Sequence, residues 1–94
     1  MAADSLGRNI SESNRVGVEL LITDCKTALA LLDLAATTKV TEDRIRRIAE
    51  AEHAYRTIVS FRERLSATPE QEKQLRELLK VVEGRLGDFG VRVA

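Results

Sequence analysis

Apolar residues return along this chain at steps of three and four, in three separate stretches. In the first, Val18, Leu21, Ile22, Cys25, Ala28, Leu29, Leu32 and Ala35 follow one another at steps of 3, 1, 3, 3, 1, 3 and 3. That spacing holds one face of a helix over about five turns, and strand alternation fails on it. It predicts a helix from Ser13 to Thr38, capped by Ser11 or Ser13. The second stretch, Ile48, Ala51, Tyr55, Ile58, Phe61 and Leu65, predicts a helix from Thr41 to Ser66. Thr41 reads as its cap, and Glu42 and Asp43 suit the positive end of the helix dipole. Val40 and Ile45 are spaced to staple that first turn. The third stretch, Leu75, Leu78, Leu79, Val82 and Leu86, predicts a helix from Thr68 to Leu86. Thr68 caps it, Pro69 takes the first helical position, and Gln71 completes a capping box. Gly87 reads as a left-handed stop, with Phe89 folding back on the last turn.

The connection over residues 37–39 is short, so the first two helices should lie antiparallel. Pro69 forces a break after the second, because the residue before a proline disfavours the helical region. The expected fold is all-α: an up-down-up three-helix bundle over residues 13–89, with two long helices and a shorter third. Residues 1–12 are read as a flexible arm and 90–94 as a short tail. The buried set should include Leu21, Cys25, Leu29, Leu32, Ile48, Tyr55, Ile58, Leu75, Leu79 and Val82.

With 94 residues there is room for one domain and not two. The 15 basic and 15 acidic residues cancel to a formal net charge of zero, which argues against general attraction to nucleic acid or an anionic membrane. Several charges stand acid-before-base four residues apart: Glu42 and Arg46, Asp43 and Arg47, Glu52 and Arg56, Glu72 and Arg76. Such pairs support a helix by about 0.2–0.5 kcal/mol each and specify no chemistry. A single cysteine and an N-terminus without an apolar leader point to a cytoplasmic protein. No apolar run has membrane-spanning length.

Catalytic and ligand-binding signals are sparse. His53, the one histidine, lies on the polar side of the second helix with a single carboxylate, Glu50, near it. A metal site needs three or four ligands, so neither a metal nor a cofactor is expected. Cys25 stands mid-helix among Ile22 and Leu29, the setting of a core residue rather than a nucleophile. Arg44, Arg46 and Arg47 form a basic cluster able to contact an anion, but Glu42, Asp43 and Glu50 surround it and no aromatic residues interleave. Nucleic acid is accordingly a weak alternative.

One feature exceeds what a simple bundle helix needs. Leu20, Leu31 and Leu34 lie off the main face of the first helix, with Thr27 and Ala30 between them. A helix apolar on two sides is either central or carries a second contact. The expected function is therefore a non-enzymatic protein–protein interaction module. Its partner is expected to be a second copy, meeting helix one, or the open side of the hairpin of helices one and two, in a two-fold dimer.

Two resemblances accompany this reading. The stretch from Ala49 to Glu70 resembles the second helix of a tetratricopeptide repeat, with small residues before Tyr55 and a close at Pro69. It spans about a quarter of the chain, and the family's tryptophan and Leu-Gly positions have no counterpart. Ala54-Tyr55 and the break Ala67-Thr68-Pro69 are similar to those of small bacterial three-helix proteins. Both resemblances imply helix-mediated binding of protein and supply no catalytic residue.

Overall fold

Three helices follow in order: α1 over Ala2–Thr37, α2 over Thr41–Arg62 and α3 over Pro69–Asp88. The computed structural model describes the backbone of residues 2–93 and the side chains of residues 14–93. Opposite ends of the helices meet as an up-down-up path requires. Gly17 near the start of α1 lies under Leu65 just past α2, and Arg44 near the start of α2 reaches Ala35 and Thr38 at the end of α1. Asp33 of α1 pairs with Arg85 of α3, so those two run parallel. No strand occurs among the described residues.

α1 is the central helix. It packs on both others, on α2 more than on α3, while α2 and α3 touch each other least. Its 36 residues make it about 54 Å long at 1.5 Å per residue, which sets the long axis of a 59 × 19 × 17 Å molecule. The helix begins at Ala2 rather than at Ser11 or Ser13. Nothing before Ser13 forbids this: the segment lacks proline, and its serines and asparagine cost only a few tenths of a kcal/mol each in a helix. The side chains of the expected arm lie outside the described residues.

Residues from all three helices form one core: Val18, Leu21, Ile22, Cys25, Ala28 and Leu32 of α1, Ala51, Tyr55 and Ile58 of α2, and Leu75, Leu79, Val82 and Leu86 of α3. Leu29 and Ile48, expected inside, are partly buried at its edge. Phe61, expected on the inner face of α2, is exposed instead, and so is Ile45, expected in the staple. Because α2 packs chiefly on α1, a narrow face is covered, and both side chains fall on its flanks. The guanidinium of Arg64 lies over the Phe61 ring, 5.5 Å from its centroid.

The helix ends show which local signals operate. The capping box at Thr68 forms as expected: its hydroxyl accepts from the Gln71 amide at 3.2 Å, and its own amide donates to Gln71 Oε1 at 3.1 Å. At α2 the expectation is corrected. Thr41 is already helical, the cap position falls to Val40, and no side chain caps it. That one-residue shift takes Val40 and Ile45 out of staple register and leaves them 60% and 62% exposed. α2 stops at Arg62, before Ser66. Its last amides, from Arg64 and Leu65, bond three residues back to Phe61 and Arg62, a tightened turn that frees Leu65 to cover Gly17.

The stop of α3 also moves. Gly87 is helical, and the left-handed residue is Gly90, at φ +84°. The Gly90 amide donates to the Gly87 carbonyl at 2.9 Å and the Val91 amide to that of Leu86 at 3.0 Å. This is a Schellman closure, and it turns Val91 and Val93 back against the core. Among the described residues, no helix is long and apolar enough to cross a membrane.

Candidate functional site: the outer face of α1

The basic cluster is the first candidate, and most of its charge is already used. Arg44 donates from Nε to the Ala35 carbonyl at 3.2 Å and from Nη2 to the Thr38 carbonyl at 2.8 Å. α1 has no basic residue in its own last turn. Arg44 thus supplies from α2 the cation that the negative end of α1 favours, together with donors for its orphan carbonyls. Arg46 Nη2 lies 2.6 Å from Asp43 Oδ1, and its Nε 3.9 Å from Glu50 Oε1. Arg47 lies at ion-pair distance from Asp43, 3.7 Å, and from Glu50, 4.0 Å, while its buried Nε has no hydrogen-bond partner. Three guanidinium groups adjacent in sequence therefore do not converge on one point. Of the expected four-apart pairs, Asp43–Arg47 and Glu52–Arg56 form. Arg46 takes Asp43 in place of Glu42, and Glu72 takes Arg62 of α2 in place of Arg76, which ties α3 to α2.

The titratable residues are placed as a packed scaffold places them. Cys25 is buried in the core. Burial, and secondarily the Asp24 carboxylate, push its thiol from 9.0 up to about 11, away from nucleophilic chemistry. Tyr55 donates its hydroxyl to Glu83 Oε2 at 3.2 Å, joining α2 to α3. Burial and that carboxylate raise its pKa above 10.0. His53 is exposed. Among the described residues, no group of three or more His, Cys, Asp or Glu side chains could hold a metal ion. The surface depressions beside Val40 and Arg46, between Asn14 and Gln71, and around Val91 and Val93 are open.

The leucines of α1 divide. Leu20 and Leu34 stand 58% and 49% exposed. Leu31 is corrected: it is partly buried and packs against the core, because it lies between the inner and outer faces, where the neighbouring helices reach it. What joins Leu20 and Leu34 is a stripe. Val16, Leu20, Thr23, Thr27, Ala30 and Leu34 succeed one another at steps of 4, 3, 4, 3 and 4, and all six are exposed. At 3.6 residues per turn they share one face, roughly 180° from Cys25. Between Asn14 and Thr37 the charged residues are Arg15, Glu19, Asp24, Lys26 and Asp33, and none stands on the stripe.

The threonines make the stripe drier than its composition suggests. Thr23 Oγ1 donates to the Glu19 carbonyl and Thr27 Oγ1 to the Thr23 carbonyl, both at 3.1 Å. Thr37 at the end of the stripe does the same to Asp33 at 3.2 Å. Each hydroxyl is satisfied by its own helix, which leaves methyl groups to face outward. Two runs of alternating three- and four-residue steps thus share α1: 18, 21, 25, 28, 32, 35 inward and 16, 20, 23, 27, 30, 34 outward. Sequence reasoning singled out Leu20 and Leu34 but missed Val16 and Thr23. The uncharged seven-residue rhythm was the signal that could have found them.

Compared with known proteins, the chain matches no family model, no curated protein and no solved structure.

Proposed function

We propose that this protein is a non-enzymatic helical interaction module that self-associates through the outer face of α1. The observation that carries the reading is the exposed, uncharged stripe from Val16 to Leu34, whose threonine hydroxyls are already bonded within the helix. A surface with no unsatisfied donors loses little when water is removed from it, and a 4-3 spacing is the one a second helix fits. Anion binding has less support, since Arg44 is committed to the end of α1, Arg46 is bonded to Asp43, and Arg47 stands at ion-pair distance from Asp43 and Glu50.

Light scattering across a concentration series tests the proposal. The mean mass should rise above the monomer's 10.5 kDa as concentration increases, and Leu20→Glu should hold it at the monomer value with helicity and melting unchanged. A mass fixed at the monomer value up to about 500 µM, where even a weak specific dimer would be populated, would rule self-association out.

A further inference from the structure

The stripe also constrains how a second copy would sit on it; this inference rests on the self-association reading and adds orientation and register. In an antiparallel helix pair, residues at one set of stripe positions face the other set across the seam, so allowed registers differ by whole heptads. Flanking residues then meet their counterparts on the same side. For this stripe one flank carries Glu19, Lys26 and Asp33 and the other carries Asp24 and Leu31.

Charge, together with the length of stripe covered, separates the registers. If Leu34 faces Val16 of the second copy, Lys26 meets Lys26, Asp24 meets Asp24 and Glu19 meets Asp33: every charged contact is between like charges. If Leu20 faces Thr23, Glu19 meets Lys26, but the two stripes overlap only from Val16 to Thr27, which leaves Ala30 and Leu34 beyond the overlap. Sliding the other way until Ala30 faces Leu34 sets Asp33 against Asp33. A parallel pair sets Glu19 against Asp24. One register joins the longer stretch of the stripe, from Leu20 to Thr37, with no contact between like charges. When Leu20 faces Thr37, Thr23 faces Leu34 and Thr27 faces Ala30, so each leucine meets a threonine methyl and the two smallest layers lie beside the two-fold axis. Lys26 then meets Asp33, twice by symmetry, and Asp24 meets the edge of Leu31.

Asp33 is suited to this contact. Arg85 Nη2 holds its Oδ1 at 2.7 Å, yet the side chain remains 67% exposed. Lys26 is exposed two helical turns from it on the same flank. We infer that two copies associate antiparallel along the outer face of α1, in the register that pairs Lys26 of each with Asp33 of the other. About 26 Å of helix takes part on each side, from Leu20 to Thr37 at 1.5 Å per residue. A single helix pair of that length falls near or below the ~1,200 Å² of stable complexes, so the dimer is weak, with a Kd on the order of 10 µM or above.

Sedimentation equilibrium on a charge-swap series tests the register. Lys26→Asp and Asp33→Lys should each weaken the dimer about tenfold, because each converts two attractive contacts into repulsive ones, and the double variant should recover to within about twofold of the original chain. A mixture of Thr27→Cys and Ala30→Cys chains should form a disulfide dimer, while Thr27→Cys alone should not; the buried native thiol stays out of the reaction. Failure of the double variant to recover, efficient self-linking of Thr27→Cys, or preferred linking of Leu20→Cys to Ala30→Cys would each overturn the register while leaving self-association intact. A chain that stays monomeric throughout would instead remove the self-association reading itself.

Discussion

The inner and outer faces of α1 carry the same rhythm but differ in cover and in two threonines. The inner run holds Val18, Leu21, Cys25, Ala28, Leu32 and Ala35, and α2 and α3 cover all of it. The outer run differs by its two threonines, Thr23 and Thr27, where the inner run has only apolar side chains, and no described residue covers it. A face packed during folding can be fully aliphatic, because it is never presented to water once formed. A face that must also remain in water is better built from methyls attached to polar residues whose hydroxyls bond the backbone. The difference separates an obligatory core from a reversible contact, and it can be tested from both sides.

Leu32→Ala should show the largest effect. Leu32 is fully buried at the centre of the inner run, and its truncation should cost about 2–5 kcal/mol by chemical denaturation. Leu20→Ala on the outer run should leave stability within about 0.5 kcal/mol, since most of the side chain is exposed. Equal losses from the two would erase the distinction between the faces. Next in size is Arg44→Ala, which strips the end of α1 of a cation and of two bonds to its carbonyls. It should cost about 1–2 kcal/mol, whereas Arg46→Ala, held by exposed pairs, should cost under about 0.5 kcal/mol. The glycines of α3 give smaller effects of opposite sign. Gly90→Ala should destabilise by about 1 kcal/mol because of its positive φ, and Gly84→Ala, with open space around its Cβ, should stabilise by about 0.5–1 kcal/mol.

The smallest effect is a pH dependence. Both Cys25 and Tyr55 have folded pKa values raised above their ordinary ones, so the fold favours their neutral forms. Their contribution is complete below the unfolded values of 9.0 and 10.0 and is lost as pH rises through the folded ones, near 11 for Cys25. The melting temperature should therefore be insensitive to these groups from neutral pH to about 8.5 and fall above that. Cys25 should resist alkylation in the folded chain at neutral pH and react on unfolding.

How much of this could be read beforehand depended on whether a signal was local. The three helices and the box at Thr68, Pro69 and Gln71 follow from residues a few positions apart, and the structure bears them out. The start of α2 did not, because Thr41 suits either the cap or the first helical position. Arg44, pulled onto the end of α1, belongs to a turn in which Val40 takes the cap. Gly87 and Gly90 are both credible stops in sequence, and only the path that lays Val91 on the core chooses between them. The partial burial of Leu31 was not legible for a tertiary reason: its angle on α1 falls between the faces, so its burial depends on where the neighbours sit. The outer stripe was only half legible, since Leu20 and Leu34 stand out as apolar while threonines read as polar until their hydrogen bonds are known.

Concentration-dependent NMR of methyl groups tests the central claim most directly, because both faces of α1 carry methyl probes. On raising the concentration from about 20 µM to about 1 mM, a range that brackets a weak dimer, the signals of Leu20, Thr23, Thr27, Ala30 and Leu34 should shift together along one binding curve. Those of Val18, Leu32 and Val82 should stay in place. Shifts centred instead on Val40, Ile45 or Val81, or no shift anywhere, would contradict the account.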